Sequence, residues 1–113
     1  MPEVGIVIPV HASALGKAIL AFAPQDEQRV LTSGVMRSMT GETITSPAEF
    51  SAALDEVRRT GIATEQDEAV IGESAVASPV FDSWSTVVGA IGVVIPTDGP
   101  VGEHEARAAV RES

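Results

Sequence analysis

Cysteine and tyrosine are absent from this sequence of 113 residues, and basic residues are few. Without cysteine the chain can form no disulfide, thiolate nucleophile or cysteine-ligated metal centre, which fits a reducing cytosol. Only 7 lysines and arginines stand against 16 acidic residues, which gives a formal net charge of -9. Such a surface repels phosphate backbones, so the chain is a poor candidate for binding nucleic acid by itself.

Long apolar runs are missing as well. The longest run, VVGAIGVVI at residues 87–95, is about half the ~20 residues that a membrane helix needs. The N-terminus, MPEVGIVIPV, has neither the basic region nor the cleavage pattern of a signal peptide. Hydrophobic residues make up 44% of the chain, enough for the core of one small domain. We therefore predict a single cytoplasmic domain.

Local patterns in the first half of the chain predict one short strand and three helices. Residues 4–10 are rich in β-branched side chains and read as a strand end. Apolar spacing predicts helices over residues 13–23 and 24–34, the second with Val30 and Leu31 on its buried face. The stretch SPAEFSAALDEVRRTG at residues 46–61 has a serine cap, a following proline and a terminal glycine, which are the boundary signals of a third helix.

The second half reads mainly as strands. Residues 65–80 are extended in pattern, residues 82–85 form a polar turn, and residues 86–95 form the strongest strand. Together residues 75–95 predict a hairpin buried against helices, and a further helix begins at Glu103. Helices and strands thus come in blocks, which favours an α+β domain with an antiparallel sheet. Because the first strand and the last helix look incomplete, we expect a truncated domain.

The stretch HASALGKAIL at residues 11–20 contains a Gly-Lys pair, as a phosphate-binding P-loop does. A P-loop also needs a glycine where His11 stands and a hydroxyl residue where Ala18 stands. The P-loop reading therefore fails. In the simplest remaining reading, Gly16 allows close packing of a helix and Lys17 is a solvated charge.

A second reading of the same stretch is a small binding site. Ser13 stands where the helix begins, so the N–H groups of Ala14, Leu15 and Gly16 would be free to bind a small carboxylate. An ordinary capped helix start is the alternative.

Four acids, Glu65, Asp67, Glu68 and Glu73, form a second cluster. They read either as a solvated acidic edge or as one or two carboxyl groups that face a pocket. Neither calcium-loop spacing nor a transition-metal ligand set is present, since the chain has only two histidines. No serine lies in a GxSxG elbow, so we predict neither an enzyme nor a metal or cofactor site. Trp84 in the polar turn is either a partner contact or a ring folded onto the sheet edge.

Two segments in order, joined by the capped helix ending in EVRRTG, resemble one known family. HASALGKAILAFAP and GIATEQDEAVIGESAVASPVFD resemble the effector-binding domains of IclR-type bacterial transcription regulators. The resemblance covers nearly the whole chain. It implies a GAF-like fold, in which helices flank an antiparallel sheet.

The resemblance also implies a function. Residues 1–113 would be one effector-binding domain without the family's N-terminal winged helix-turn-helix, so DNA would be contacted only through a separate domain. The expected partners are a small-molecule effector, either an organic or aromatic acid or a hydroxylated metabolite, and further copies of the chain in a homodimer or homotetramer. A stand-alone GAF-like sensor or oligomerisation module is the alternative.

The family's pocket lies between a helix start and the sheet. Several positions depart from the usual pattern: Glu65 replaces an aspartate, Leu15 and Val94 are larger and more apolar, and Glu73 adds an acid. These changes favour a ligand with hydroxyl donors and a hydrocarbon or ring body. Carried over by position, and joined with the helix start, the expected ligand-binding residues are Ser13, Ala14, Leu15, Gly16, Glu65, Glu73, Ala75, Gly92 and Val94.

Overall fold

The computed structural model describes residues 10–33 and 36–111. A short 3-10 turn, Val10–Ala12, leads into seven regular elements. In chain order they are α1 (Ala14–Leu20), α2 (Pro24–Ser33), α3 (Pro47–Thr60), β1 (Ala63–Gln66), β2 (Glu73–Phe81), β3 (Val87–Pro96) and α4 (Glu103–Arg111). The predicted strand at residues 4–10 lies outside the described residues except for Val10.

The boundary signals of α3 act as the sequence predicts. The Ser46 hydroxyl accepts a hydrogen bond from the Glu49 N–H, and Pro47 occupies the first turn. Gly61 ends the helix in the left-handed region at φ 75°, a conformation that glycine adopts without strain. The apolar stripe of the helix, Phe50 and Leu54, is fully buried.

Helices α1 and α2 differ from their predicted forms. The first is shorter than predicted, since it starts after the Ser13 cap and ends at Leu20, ahead of Pro24. The second begins at Pro24 as expected, but Val30 and Leu31 are only half-buried against the core. None of the helices in the described ranges is long and apolar enough to cross a membrane.

The three strands form one antiparallel sheet in the order β1-β2-β3. The single extended stretch predicted for residues 65–80 is therefore wrong, because a loop at residues 67–72 reverses the chain between β1 and β2. Two left-handed positions make this turn possible, Asp67 at φ 57° and Gly72 at φ 93°. The β2–β3 hairpin and its polar turn are confirmed.

The register divides the sheet into two faces, because paired residues point the same way. One face carries Ala63, Ala77 and Gly92 in one cross-strand row, and these small residues let α1 lie close against the sheet. The opposite face presents Val76 and Ile95 to α4. Helices thus cover both faces of an antiparallel sheet, and the predicted α+β class is confirmed.

Strand β3 is less buried than predicted. Val88 is 63% exposed and Val94 is 67% exposed, because α1 reaches across β2 and covers β3 only in part. Trp84 at the hairpin tip is 86% exposed, which favours the reading of an outward-facing ring over one folded onto the sheet.

Candidate functional site

One cross-strand row brings three of the expected site residues together. Glu65 of β1 pairs with Ala75 of β2, and Ala75 pairs with Val94 of β3. Paired residues share a face, so all three side chains point to the α1 side of the sheet. Glu73, two residues before Ala75, points to the same side one step further along.

A cavity of about 180 Å³ lies between this row and the first turn of α1. A cavity of about 150 Å³ is large enough to hold benzene, so the space fits one ring or a short hydrocarbon chain. Eight of the nine expected residues line it, and Gly16 does not. The sequence analysis missed six further lining residues, which are Ala12, Ala69, Val70, Val76, Ala77 and Val93.

Leu15 of α1 packs over Gly92 of β3. A Cβ atom placed on Gly92 would lie 3.0 Å from Leu15 Cδ2 and 3.3 Å from the Val76 carbonyl oxygen. Glycine at this position therefore leaves room for the Leu15 side chain, which is 46% exposed and borders the cavity.

Glu65 is a nearly buried carboxyl group, with 7% of the residue exposed. Its Oε2 accepts a hydrogen bond from the Glu68 N–H at 3.1 Å. Burial raises the pKa of the Glu65 carboxyl above its ordinary value of 4.5, while the Glu68 N–H opposes that rise. The reading of the acids as a solvated edge is thus wrong for Glu65, which faces the cavity.

Lys17 is also buried, so its interpretation as a solvated charge is wrong. Its side chain is 3% exposed, and Nζ donates to Glu68 Oε1 at 2.7 Å and to the Thr64 carbonyl oxygen at 3.0 Å. Glu68, 12% exposed, in turn accepts from the Gln66 N–H. The pair ties α1 to the loop that follows β1.

This loop, residues 67–72, forms the outer rim of the cavity with Ala69 and Val70. Asp67 Oδ1 accepts from the Thr97 hydroxyl at 2.6 Å and from the Gly72 N–H at 2.9 Å. The Thr40 hydroxyl donates to the Asp67 carbonyl oxygen at 2.6 Å. Since these bonds fix the loop from two sides, the rim is held in place before any ligand arrives.

The helix start is more fully occupied than the sequence suggested. The Ser13 hydroxyl accepts the Gly16 N–H at 3.2 Å, so this amide is not free for a ligand. Helix α1 has only seven residues, and its dipole is correspondingly small. Of the three amides expected to bind a carboxylate, the Ser13 cap therefore removes that of Gly16 and leaves those of Ala14 and Leu15.

The lining is mainly apolar. Among its residues in the described part of the chain, only Glu65 and Glu73 are ionisable, and the rest are apolar or small apart from Ser13. His11 lies apart from them, with Nε2 within hydrogen-bond distance (2.9 Å) of the Arg37 carbonyl oxygen. No group of acids and histidines within residues 10–33 and 36–111 has the arrangement of a metal site.

Similar proteins are regulators of transcription. The sequence is 40% identical over 96 residues to the glycerol operon regulatory protein of Streptomyces griseus, covering 85% of this chain and 37% of that protein. The fold matches the crystal structure of Thermotoga maritima IclR with a TM-score of 0.85 and 27% identity, over 99% of this chain and 47% of the other. The fold also matches an IclR homologue from Microbacterium hydrocarbonoxydans that was crystallised with 4-hydroxybenzoate. The TM-score is 0.85 and the identity 25%, over 99% of this chain and 47% of the other.

The chain thus spans less than half the length of these relatives. The family model described as "Bacterial transcriptional regulator IclR C-terminal" matches residues 1–112. This match covers nearly the whole chain and agrees with the fold and with the regulators above. The chain belongs to the family of IclR-type bacterial transcriptional regulator C-terminal domains.

Proposed function

We propose that residues 1–113 are one sensor domain whose small-molecule effector binds in the cavity between α1 and the Glu65–Ala75–Val94 row. The main support for this proposal is that eight of the nine residues expected from the sequence line this one cavity. An apolar concave site with a few placed polar groups is the usual form of a small-molecule site. The Microbacterium relative's 4-hydroxybenzoate is a ligand of a size that such a cavity can hold.

Control of DNA binding would be indirect. The net charge of -9 disfavours contact between this domain and phosphate backbones, so a winged helix-turn-helix outside residues 1–113 would contact the operator. The effector would favour one arrangement of the assembly, with a coupling free energy on the order of 1–3 kcal/mol. Both parts would work in the cytoplasm.

We also propose that the domain acts within a homodimer or homotetramer. Support comes from β3, which within residues 10–33 and 36–111 is an edge strand of the sheet and exposes Val88. Such surfaces usually pack against a partner. Sedimentation velocity over a range of concentrations tests this, and a species that stays monomeric at the highest concentration would contradict it.

The test of the sensor function uses the full-length regulator that contains this chain. Operator affinity is measured with and without compounds that the isolated domain binds. Occupancy of the cavity is expected to change the operator dissociation constant by about 5–150-fold, the range of that coupling energy. Compounds that bind the domain at saturation without changing operator affinity would show that the cavity is not a regulatory site.

A further inference from the structure

We propose that Lys17 is a positioning residue for the cavity, because through Glu68 it holds the Glu65 carboxyl group and the rim loop in the arrangement that a ligand meets. The inference rests on the proposed function, since it adds a residue to the same binding site. Lys17 itself does not line the cavity. Three features support the inference: the contacts of Glu68, the two bonds of the Lys17 ammonium group, and the backbone conformation between Glu65 and Glu68.

Glu68 connects the cavity to groups outside its lining. Its N–H donates to Glu65 Oε2 at 3.1 Å. Its own carboxylate accepts from Lys17 Nζ at 2.7 Å and from the Gln66 N–H at 3.3 Å. Its carbonyl oxygen accepts from the hydroxyl of Thr43, a buried residue. Because the side chain and the carbonyl group are both held, the N–H that bonds to Glu65 has a fixed direction.

Lys17 bonds to the chain on both sides of Glu65. Its Nζ donates to the Thr64 carbonyl oxygen at 3.0 Å and to Glu68 Oε1, which belong to the residue before Glu65 and the residue three after it. The Lys17 side chain is 3% exposed, so these acceptors take the place of water, and charged hydrogen bonds of this kind are the stronger ones. Leu15 borders the cavity two residues earlier in α1, about 200° away around the helix. The same helix therefore supplies a cavity wall and the bonds that fix β1 against it.

The backbone between Glu65 and Glu68 depends on such support. Asp67 lies in the left-handed region at φ 57°, which is uncommon for a residue with a side chain. Bonds from distant segments hold Asp67 itself, and the Lys17 bond holds Glu68. Without Lys17, the Glu68 carboxylate would be 12% exposed with the Gln66 N–H as its remaining partner in the described ranges. We expect that carboxylate to turn toward water, which draws the Glu68 N–H away from Glu65.

The charges around Glu65 make its titration a measure of this arrangement. Burial raises the pKa of the Glu65 carboxyl most, and the nearby charges of Glu68 and Asp67 add to the rise. The Glu68 N–H and the charge of Lys17 oppose it. Glu73 of β2 is a further acid at the cavity, and β3 has no ionisable residue. Loss of Lys17 removes an opposing charge and releases the positioned N–H, so the pKa of Glu65 should rise further.

The first measurement is the pKa of the Glu65 carboxyl, followed through its carbon-13 resonance over a pH series. Lys17→Met keeps an unbranched side chain without the charge, and a pKa above that of the wild type is expected. Thr43→Val separates position from charge, because it removes the hydroxyl that holds the Glu68 carbonyl and leaves every charge in place. It should raise the Glu65 pKa in the same direction by a smaller amount. If Lys17→Met does not fold, Thr43→Val decides the question.

Arg58→Met is the matched control. Like Lys17, Arg58 joins a backbone carbonyl and a carboxylate, those of Ala21 and Glu27, at 2.8 Å and 2.7 Å. None of these three residues lines the cavity. Arg58→Met therefore removes a comparable pair of bonds and should leave the pKa of the Glu65 carboxyl unchanged.

The second measurement is the affinity for 4-hydroxybenzoate by calorimetric titration. Each variant is measured at a pH above its own Glu65 pKa, so that this carboxyl group is ionised throughout. In Lys17→Met the rim loop has to be ordered when the ligand binds, and binding is expected to weaken about tenfold. Arg58→Met should stay within about twofold of the wild type.

The outcomes separate this inference from the proposed function. If Lys17→Met and Thr43→Val keep the wild-type Glu65 pKa, or if Arg58→Met changes the pKa and the affinity as much as Lys17→Met does, Lys17 has no positioning role, and the cavity remains a candidate site. A raised pKa with unchanged affinity would also overturn the inference. If 4-hydroxybenzoate binds the wild type without shifting the Glu65 resonance, the ligand lies elsewhere and the proposed function fails. If it does not bind at millimolar concentrations, that result counts against the proposed function, and the pKa values alone decide the role of Lys17.

Discussion

At the scale of single residues, Glu65 makes stability depend on pH. Its pKa is raised by burial in the folded state, so the folded protein holds this proton more tightly than the unfolded chain does. The resulting stabilisation is fully present below the ordinary pKa of 4.5 and is lost as the pH rises through the folded pKa. We expect the wild type to lose stability relative to Glu65→Gln over that range.

Urea unfolding of both proteins at a series of pH values measures this difference. Because the other titrating groups are common to both, their contributions cancel in the comparison. If the difference in unfolding free energy stays constant from below pH 4.5 to neutrality, burial does not raise the pKa of the Glu65 carboxyl.

Lys17 of α1 and Glu68 of the loop at residues 67–72 form a buried ion pair next to the cavity. Lys17→Met leaves the Glu68 carboxylate, 12% exposed, without its cation, and we expect a loss of about 3 kcal/mol in unfolding free energy. The double variant Lys17→Met/Glu68→Gln should recover part of that loss. The control is Arg29→Met in the exposed pair with Asp26, where less than ~1 kcal/mol is expected. Equal losses of unfolding free energy in Lys17→Met and Arg29→Met would show that burial does not make the Lys17–Glu68 pair more costly to break.

The burial of Lys17 could not be predicted from the sequence. In HASALGKAIL a lysine beside glycine reads as a surface charge, and its partner Glu68 lies 51 positions away. Only the packing of α1 on the sheet brings the two together. Glu65 is different, since its place in a family motif indicated a pocket, although its pattern alone favoured a solvated acidic edge.

At the scale of elements, α3 is determined by its own sequence. Ser46 accepts the Glu49 N–H, and removing that acceptor costs about 1 kcal/mol in typical cases. We therefore expect Ser46→Ala to lower the unfolding free energy by about this amount, while Ser46→Asp, which keeps an acceptor, should stay near the wild type. Thermal or urea unfolding measures both, and indistinguishable Ala and Asp variants would show that the cap contributes nothing.

The contact between α1 and β3 depends on Gly92. A Cβ there would meet Leu15 Cδ2 at 3.0 Å, so Gly92→Ala should turn Leu15 into the cavity and weaken ligand binding about tenfold, the effect of a lost methyl-sized volume or a small shift. Gly89→Ala on the same strand is the matched control, because no atom lies within 4 Å of its Cβ position.

Calorimetric titration with 4-hydroxybenzoate, the ligand crystallised with the Microbacterium relative, measures the effect. The double variant Leu15→Ala/Gly92→Ala should regain affinity relative to Gly92→Ala, since the shorter side chain no longer fills the cavity. Equal affinities for Gly92→Ala and Gly89→Ala would show that Leu15 does not limit the site.

Elements differ in how far the sequence predicts them, and the reason is physical. Helix α3 and the β2–β3 hairpin carry local signals, which are caps, a terminal glycine and a polar turn, so their positions followed from the sequence. The break between β1 and β2 did not, because it depends on a left-handed Asp67 that is stabilised by Thr97 and Thr40 from distant segments. The cavity exists only once this loop is in place, so its rim residues were missed.

At the scale of the whole molecule, the two faces of the sheet have different tasks. The face under α4 is an apolar cluster around Val76 and Ile95. The face under α1 carries the larger cluster, which includes Phe50 and Leu54 of α3, and at its edge the Glu65 row borders a cavity of about 180 Å³. The proposed binding site therefore adjoins the main core of the domain.

The central claim is that ligands bind between α1 and the Glu65–Ala75–Val94 row. Amide chemical-shift mapping by NMR, with 4-hydroxybenzoate added to the isotopically labelled domain, tests it most directly. The account predicts that the largest shifts occur at the lining residues of α1, at residues 65–70 and at the facing positions of β2 and β3. Largest shifts at the Trp84 turn or along α4, with the cavity residues unchanged, would contradict it.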